Sequence, residues 1–359
     1  MRVMLLSAAN NVHTVRWANA ISERGNDVYV VSCSDHKEAN NKFNSNITKI
    51  YLKYSSGLGY YLNRNQLRKI IKTIKPDIVN VHYASGYGTL ARISKINNYL
   101  LNLWGSDIFL YPKINKFNKY ILTKNLKYAP HIASTSHCMA NEAKLYVNKD
   151  MYITPFGIDL NKIKYHEHEI KDNTFKICTV KTLEEVYGID VLIKAVALLI
   201  NKLKDNNINI NIKYDIYGKG DLHDSLNELI SSLNMNDNIR LMGYIENNKL
   251  GDVLTQYNAF ILGSRSESFG VSAIEAMAAG LVVIATDAKG FTEVIENNHD
   301  GFIVKRDHPE EIADKLYELI QNPKIIKDIG YNAYISVKEK YDWNESVTNM
   351  LNIYSKILK

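Results

Sequence analysis

Short apolar runs alternate with helical patterns twice along the chain, and this alternation constrains the fold more than any other feature. In the first half, runs such as Val28–Ser32 and Ile78–His82 are each followed by a segment with helical apolar spacing. Buried strands alternating with helices are typical of a parallel sheet covered on both faces. The pattern therefore predicts α/β architecture with two doubly wound domains, and 359 residues suffice for two such cores.

The predicted elements follow from this periodicity. Strands are expected at Val3–Leu6, Val28–Ser32, Ile47–Tyr54, Ile78–His82, Tyr99–Leu103, His131–Ser134, Met151–Thr154, Lys176–Val180, Ile210–Tyr217, Ile239–Met242, Ala259–Leu262 and Val282–Ala285. Helices are expected at Thr14–Arg24, Asn63–Lys75, Thr89–Ile96, Asn115–Lys127, Ser136–Leu145, Gly188–Leu203, Asp221–Leu233, Asn248–Tyr257, Val271–Ala279 and Pro309–Gln321. Residues 161–174 lack an apolar period and are predicted to be a linker, and the i, i+2 pair His166 and His168 in it does not predict a metal site.

The cysteines and the amino-terminal residues indicate in which cellular compartment the protein is expected. The three cysteines, Cys33, Cys138 and Cys178, are far apart and form no C-x-x-C pair, so neither a disulfide framework nor a zinc site is predicted. The apolar run at the amino terminus is shorter than a signal peptide or a transmembrane helix requires. A cytoplasmic protein is expected.

The charge is unevenly distributed. Residues 1–160 contain 21 Lys plus Arg against 9 Asp plus Glu, whereas residues 161–359 contain 23 against 29. Residues 111–128 contain five lysines and no acid. Between Lys113 and Lys127 the lysines are interleaved with Phe117, Tyr120, Ile121 and Leu122. This segment fits a basic amphipathic helix on an anionic membrane surface, or a helix with one face in the core and its lysines in solvent. No nucleic-acid-binding motif accompanies the charge, so nucleic acid is not an expected partner.

Residues 267–275, E-S-F-G-V-S-A-I-E, carry the strongest chemical signal. An apolar strand precedes them and a helix follows from Val271. A helix amino terminus offers N–H groups and a positive dipole end to a phosphate, and the carboxylates of Glu267 and Glu275 can accept hydrogen bonds from sugar hydroxyls. A phosphate together with a sugar indicates a nucleotide sugar.

This motif resembles the donor site of the retaining glycosyltransferases of family 4, which have the two-domain GT-B fold. Weaker matches occur in the same order along nearly the whole chain: Y-G-K-G-D (217–221), R-L-M-G (240–243), Gly290–Glu293 and Asp300–Phe302. The segments at 11–25, 81–88, 104–108 and 155–159 look like a bacterial polysaccharide and cell-surface branch of that family.

The resemblance implies an organisation of the chain. Residues 1–165 would form a Rossmann-like acceptor domain, and 170–340 a Rossmann-like donor domain. Residues 341–359, whose amphipathic pattern runs from Trp343 to Leu358, would pack back on the first domain. The strand ends of the two domains would face each other across a cleft.

The resemblance also implies roles for single residues of the second domain. Glu267 would bind donor sugar hydroxyls near the reacting carbon, and Glu275 would hold the two ribose hydroxyls. Gly270 and Val271 would give backbone N–H groups to the sugar or phosphate. The remaining donor-binding candidates are Gly218, Lys219, Gly243 and Phe269.

One departure from the family pattern concerns charge. The Arg and Lys that usually neutralise the diphosphate are replaced by Thr182 and Tyr187, and only Lys181 stands nearby. Either Lys181, helped by the helix dipole at Gly270 or by Lys219, takes over this task, or catalysis is weak. No D-x-D motif occurs, so a metal-held diphosphate is not expected, and the only small molecule required is the nucleotide sugar itself, with UDP as the expected nucleotide.

Candidates in the first domain are fewer. Asp107 follows a strand and would bind or deprotonate the acceptor; the alternative is a helix cap. His82, at the end of another strand, is the second catalytic candidate, with a satisfied core histidine as the alternative. Asn11 and His13, in the first strand–helix loop, would contact acceptor or phosphate.

We therefore expect a retaining, metal-independent glycosyltransferase that moves a hexosyl or N-acetylhexosaminyl unit from a UDP-sugar to a cell-envelope glycan or lipid-linked acceptor. Two other functions stay open. One is a non-catalytic GT-B-like partner subunit, suggested by the missing Arg and Lys. The other is a different GT-B enzyme such as a sugar-nucleotide epimerase, which would need a general base that the motif does not offer.

Overall fold

The computed structural model describes residues 1–38 and 42–359. The chain forms two compact units. One comprises Met1–Pro155 together with Asn344–Lys359, and the other comprises Phe156–Trp343.

The first unit is built on a seven-stranded parallel sheet. Its strands are β1 (Arg2–Leu6), β2 (Asp27–Ser32), β3 (Thr48–Tyr51), β4 (Ile78–His82), β5 (Leu100–Leu103), β6 (His131–Ser134) and β7 (Tyr152–Ile153). Their order is β3-β2-β1-β4-β5-β6-β7, and Val3 pairs with Val28 on one side and Ile78 on the other. Strands β2 and β3 lie on one side of β1 and β4 to β7 on the other, which is the change in strand order that a doubly wound sheet requires.

The helices of this unit are α1 (Val12–Glu23), α2 (Gly59–Leu62), α3 (Arg64–Ile74), α4 (Gly86–Ile93), α5 (Ser106–Phe109), α6 (Tyr111–Ile114), α7 (Lys116–Tyr128) and α8 (His137–Ala143). Strand β3 is shorter than the predicted Ile47–Tyr54. The N–H groups of Lys53 and Tyr54 donate instead to the side chains of Gln66 and Asn63, so the ladder ends before them.

Helix α7 has one face in the core, which is the second of the two arrangements predicted for it. Ile121, Leu122 and Leu126 are buried in the core. Phe117 and Tyr120 are 63% and 57% exposed, on a different face of the same helix.

The second unit contains a six-stranded parallel sheet. Its strands are β8 (Thr174–Val180), β9 (Asn211–Tyr217), β10 (Ile239–Gly243), β11 (Ala259–Leu262), β12 (Val282–Thr286) and β13 (Phe302–Val304). The order is β10-β9-β8-β11-β12-β13, so β8 and β11 are central. All the residues of β11 and β12 are buried, which matches the continuous apolar sequence of these two strands. The predicted pair of doubly wound sheets is confirmed.

The helices of the second unit are α9 (Ile189–Asp205), α10 (His223–Ser232), α11 (Asn247–Leu254), α12 (Val271–Ala278), α13 (Lys289–Val294), α14 (Pro309–Gln321) and α15 (Pro323–Lys340). Helix α15 and strand β13 are absent from the sequence prediction. In α15 the buried positions Ile326, Ile329, Ala333 and Val337 keep helical spacing, but lysines and tyrosines between them obscure the stripe.

Residues 156–170 belong to the second unit, whereas the predicted boundary lay at residue 165. Ile158 exchanges backbone hydrogen bonds with Tyr341 and Trp343, and the backbone N–H of His166 donates to the carbonyl of Ala279. His168 is buried, and its ring contacts the same carbonyl at 3.0 Å. The segment expected to be a linker is therefore packed against this unit by its backbone.

The last helix, α16 (Trp343–Ile357), lies almost entirely in the first unit. Val347, Met350, Ile353 and Tyr354 are buried, and the side chain of Asn80 in β4 donates to the Tyr354 hydroxyl. The predicted return of the chain to the first unit is thus present. Among the helices of residues 1–38 and 42–359, none has the length and apolar content needed to cross a membrane.

Candidate active site

The second sheet brings several loops together at the carboxyl ends of its central strands. Strands β9, β8, β11 and β12 are neighbours, and their following loops contain residues 218–220, 181–188, 263–270 and 287–290. In open parallel sheets this edge is where ligands bind. The loop that contains Glu267 and the start of α12 therefore lie at this edge.

Two glycines hold the loop after β9 against the loop after β8. A Cβ on Gly218 would lie 1.8 Å from the carbonyl oxygen of Lys181, and a Cβ on Gly220 would lie 2.4 Å from that of Leu183. The backbone N–H of Leu183 donates to the carbonyl of Lys219 at 3.1 Å. The G-K-G turn thus fixes the backbone that carries Lys181.

Lys181 and Glu267 form an ion pair, with 2.7 Å between Nζ and Oε2. Their side chains are only 15% and 10% exposed. Burial alone would lower the pKa of Lys181, but the charge and hydrogen bond of Glu267 outweigh burial, and the pKa is raised. The cation expected at the phosphates is therefore paired with the carboxylate expected at the sugar.

Glu275 lies on α12. It is half-buried, whereas the other residues of 272–280 are buried. Its charge also helps to raise the pKa of Lys181. The ring of Tyr187 lies on another side of Lys181, 4.7 Å from Nζ to the ring centroid. Of the predicted donor residues, the structure thus brings together Lys181, Glu267 and Glu275.

Gly270 caps the amino terminus of α12 with φ +96°, a conformation that favours glycine. A Cβ there would approach the Phe291 ring to 2.9 Å. Gly270 and Val271 therefore lie at the positive end of the helix dipole, as predicted from the sequence.

Phe269 points into the core rather than into the loop region. It is 2% exposed, and its ring packs edge-on against Phe156 and Tyr341. Its side chain fixes the loop, and any contact of Phe269 with a donor is left to its backbone.

Lys219 and Gly243 lie further out. Lys219 is exposed, with Nζ 5.9 Å from the centroid of the Tyr244 ring. Gly243 ends β10, and its carbonyl accepts a 2.8 Å hydrogen bond from the N–H of Gly218. Both belong to the same edge of the sheet, and their contact with a donor stays a prediction.

Arg265, two residues before Glu267, is not among the site residues predicted from the sequence. Its guanidinium bridges Asp190 at 3.2 Å and Asp307 at 2.7 Å. With Asp287, Lys305, Arg306 and His308 it lines a charged cavity of about 360 Å³. Its two carboxylate partners are 75 and 42 residues away in sequence, so no local pattern predicts this arrangement.

In the first unit, Asp107 is buried and its carboxylate binds backbone. One oxygen accepts from the N–H of Ala84 at 2.8 Å, and the other from those of Gly105 at 2.9 Å and Trp104 at 3.2 Å. Burial raises the pKa of Asp107, although these hydrogen bonds oppose the rise. Asp107 ties the loops after β4 and β5 together, and its catalytic role stays a prediction.

His82 is also inside the unit. Its Nδ1 lies 2.9 Å from the Ser7 hydroxyl, and its ring lies 4.2 Å from that of Trp104. Burial, with the nearby charge of His13, lowers the pKa of His82 to about 3. A neutral, 1% exposed histidine fits the alternative of a satisfied core residue, and its catalytic role is likewise untested.

Asn11 and His13 lie at the start of α1. The Asn11 side chain accepts a 2.8 Å hydrogen bond from the backbone N–H of His13 and so caps the helix. Burial, followed by the charge of Arg16, lowers the pKa of His13 to about 3. Asn11 borders a cavity of about 850 Å³, while His13 packs edge-on to Trp104 and is not among its lining residues.

No group of three or more potential metal-binding side chains occurs in the part of the chain that the structure describes.

Comparison with known proteins agrees with this fold. The sequence profile of "Glycosyl transferases group 1" matches residues 161–336, and that of "Glycosyl transferase 4-like" matches residues 2–136. Anabaena HepE in complex with UDP superposes with a TM-score of 0.80 over 99% of both chains, at 15% identity, which is a likeness of fold. Two parallel α/β units of this kind form the GT-B fold. The chain belongs to the GT4-type glycosyltransferases, and the family resemblance seen in the sequence is confirmed.

Two curated relatives cover different shares of the chain. The GtfA subunit of the UDP-N-acetylglucosamine–peptide N-acetylglucosaminyltransferase of Streptococcus agalactiae is 31% identical over 233 residues, which are 60% of this chain and 44% of that protein. The capsular polysaccharide biosynthesis glycosyltransferase CapM of Staphylococcus aureus is 26% identical over 264 residues, 70% of this chain and 66% of CapM.

Proposed function

We propose that this protein transfers a hexosyl or N-acetylhexosaminyl unit from a UDP-sugar to a cell-envelope glycan or lipid-linked acceptor, with retention of anomeric configuration and without a metal ion. The observation that carries the proposal is the grouping of Lys181, Glu267 and Glu275 beside the amino terminus of α12. A cation, two carboxylates and a helix dipole are the groups that a sugar diphosphate requires.

Each group has a task in the donor complex. Glu275 accepts hydrogen bonds from the two ribose hydroxyls, and Glu267 from hydroxyls of the transferred sugar. The N–H groups of Gly270 and Val271 bind a phosphate oxygen. Lys181, held at 2.7 Å from Glu267, neutralises part of the diphosphate charge while staying near that carboxylate. Before the donor binds, the charges of Lys181 and Glu267 offset each other, and the charge of Glu275 is additional.

Transfer proceeds on one face of the sugar. The acceptor oxygen bonds to the anomeric carbon from the side on which the UDP oxygen departs, and the acceptor proton passes to that leaving phosphate oxygen. The bond between the anomeric carbon and UDP breaks with its electron pair going to UDP. No enzyme nucleophile is required, and the helix dipole with Lys181 stabilises the charge on the departing diphosphate.

Choice of substrates rests on the relatives. The Streptococcus agalactiae relative is named for UDP-N-acetylglucosamine, and CapM is named for capsular polysaccharide biosynthesis. These names support a UDP-linked donor and a cell-envelope acceptor for this chain.

The test is calorimetric titration of the full chain with UDP, GDP, ADP and dTDP, in EDTA and in Mg²⁺. We expect micromolar binding of UDP in both buffers, lost in Glu275→Ala and kept in Glu246→Ala, an exposed residue of the same unit. Absence of binding by any nucleotide would contradict the proposal and favour a non-catalytic role.

We further propose that α6 and α7 bind an anionic membrane surface at the inner face of the cell membrane. Leu110, Ile114, Phe117 and Tyr120 are between 52% and 69% exposed, and the same segment contains lysines 113, 116, 119, 124 and 127. Its sequence contains no acid, although Lys113 lies 3.9 Å from Glu142 of α8. Exposed apolar side chains among lysines are typical of a protein surface at a lipid interface.

Flotation with liposomes tests this surface. We expect binding to vesicles containing phosphatidylglycerol, little binding to phosphatidylcholine alone, and loss of binding at high salt and in Phe117→Ser. Tyr331→Ser, an exposed aromatic residue of the second unit, is the control. Binding that is indifferent to anionic lipid and to salt would overturn this proposal.

A further inference from the structure

The geometry points to an uncharged sugar unit as the group that the first unit binds, in the cavity of about 850 Å³ beside β1 and β4. This inference rests on the proposed function, because it takes that sugar to be the acceptor. It also narrows that proposal, which leaves neutral and anionic acceptors open.

The cavity wall has no charged carboxylate, ammonium or guanidinium group among its described residues. Its polar groups come from asparagine, serine, threonine, histidine and tyrosine side chains. The surrounding unit is strongly basic, with 21 Lys plus Arg against 9 Asp plus Glu in residues 1–160. The excess positive charge therefore lies elsewhere, and a phosphate or carboxylate in the cavity would lose water without gaining a counter-charge.

The carboxylate of Asp35 lies next to His36, a residue of the cavity wall. Nε2 of His36 lies 4.0 Å from Asp35, and Nδ1 of His36 lies 2.8 Å from the Tyr87 hydroxyl. Asp35 also accepts hydrogen bonds from Ser56. This fixed negative charge further disfavours an anionic ligand.

Tyrosine rings form much of the wall: Tyr60, Tyr61, Tyr83, Tyr87 and Tyr111. A pyranose ring has an apolar C–H face and hydroxyl groups at its edge. Tyrosine offers the matching combination of an apolar ring face and a polar tip. The volume also falls within the range of small-molecule sites, roughly 300–1,000 Å³.

The rings are held in place by the surrounding structure. Tyr87 is 2% exposed, and its hydroxyl accepts a 3.1 Å hydrogen bond from the N–H of Cys33. Tyr60 packs edge-on against it, with 5.2 Å between centroids. A Cβ on Gly86 would lie 2.4 Å from the Tyr60 ring, so the position of Tyr60 depends on a glycine at 86.

Tyr83 adds a strained backbone to the cavity. Its φ is +71°, in the left-handed region that a tyrosine rarely occupies. The neighbouring chain enforces this conformation, because the Tyr83 N–H donates to Asn102 and the Tyr83 carbonyl accepts from Gly88. Such strain is concentrated at ligand sites, where it fixes the direction of a side chain.

The test uses the full chain and saturation-transfer NMR with two sets of probes. The neutral set contains methyl glucoside, methyl N-acetylglucosaminide and their disaccharides, and the charged set contains glucuronate and glucose 6-phosphate. We expect the neutral probes to bind at least tenfold more tightly than the charged ones. Gly86→Ala and Tyr60→Ala should each weaken that binding at least tenfold.

Two controls separate this inference from other failures. Tyr128→Ala, an exposed tyrosine on α7 away from the cavity, should leave sugar binding unchanged, and thermal denaturation should show that all variants are folded. UDP titration should be the same in wild type, Gly86→Ala and Tyr60→Ala.

The outcomes are distinguishable. Preferential binding of charged probes, no binding of any neutral probe, or binding insensitive to both cavity variants would overturn the inference while UDP binding still supports the proposed function. Neutral sugar binding that depends on Tyr60, in a chain that binds no nucleotide, would support the cavity assignment and overturn the proposed function.

Discussion

Lys181 is the residue on which the proposed chemistry of this site depends most. The usual Arg and Lys positions carry Thr182 and Tyr187, and the remaining lysine is ion-paired with Glu267 at 2.7 Å. The pairing places one cation beside the expected sugar and phosphate positions at once. A single lysine could therefore orient Glu267 and also offset part of the charge of a diphosphate.

Replacing Lys181 by Met tests this role. The change leaves the Glu267 carboxylate nearly buried and without its counter-charge, which costs about 3 kcal/mol of unfolding free energy. It also removes the cation nearest to the expected phosphates, so UDP affinity should fall at least tenfold. The measurements are urea denaturation and calorimetric titration.

Lys219→Met is the matched control, since Lys219 is exposed and lies on the adjacent turn. We expect it to change the free energy of unfolding by less than about 0.5 kcal/mol. Equal UDP affinity in wild type and Lys181→Met would show that the lysine does not serve the phosphates.

His82 makes the stability of the first unit depend on pH. Its pKa in the folded protein is lowered to about 3, whereas an unfolded histidine titrates near pH 6.5. The unfolded chain therefore binds the proton first, and the stabilisation is complete above about pH 6.5 and is lost as the pH falls towards 3. Between pH 6.5 and 5 the loss amounts to about 2 kcal/mol.

Urea denaturation at pH 7 and pH 5 measures this loss. His82→Asn should lose less stability over that interval than the wild type, whereas the exposed His223→Asn should behave as the wild type does. An identical pH dependence in all three proteins would contradict the assignment of a neutral, buried His82.

At the scale of elements, the site depends on how closely the strand-end loops approach one another. The turn after β9 touches the loop after β8 through backbone atoms, and α13 touches the loop before α12, where a Cβ on Gly290 would lie 2.6 Å from the nitrogen of Phe269. Glycines thus replace side chains where two backbones meet. Sheet order brings these loops together, and the glycines allow them to touch.

Gly218→Ala and Gly243→Ala separate close approach from backbone conformation. A Cβ on Gly218 would meet the Lys181 carbonyl at 1.8 Å, whereas a Cβ on Gly243 has open space but requires φ +76°. We expect a loss of about 3 kcal/mol for Gly218→Ala and about 1 kcal/mol for Gly243→Ala, measured by urea denaturation. A larger loss for Gly243→Ala would reverse this explanation.

At the scale of the whole molecule, the chain leaves the first unit after Pro155 and returns to it at Asn344. The returning helix α16 fills the surface of the sheet with Val347, Met350, Ile353 and Tyr354. Asn80 links this helix to β4 and also accepts a hydrogen bond from Asn102 in β5. The carboxyl terminus is therefore part of the core of the amino-terminal unit.

Tyr354→Phe tests this dependence. It leaves the buried Asn80 amide without its hydroxyl partner, which costs about 1–2 kcal/mol. Hydrogen exchange should become faster in Ile78–His82 and stay unchanged in Ala259–Leu262 of the second unit. Tyr331→Phe, which is half exposed, should change neither segment. Equal acceleration in both units would show that α16 stabilises the molecule in another way.

The sequence by itself determined the pair of doubly wound sheets, the place of Glu267 and Glu275 around a helix start, and the return of the last helix. These features follow from apolar periodicity and from motifs within about ten residues, where strand, loop and helix chemistry is local. Helix α15 was not predicted, because lysines and tyrosines interrupt its apolar stripe.

Only the tertiary structure decided which groups meet. Lys181 and Glu267 are 86 residues apart and pair because β8 and β11 are neighbours in the sheet. The tyrosine cavity collects Tyr60, Tyr83 and Tyr111 from three separate loops and helices. The side chain of Phe269, a donor-binding candidate, is buried against Phe156 and Tyr341. Sheet order and burial are set by the packing of the whole chain, so local spacing does not encode these contacts.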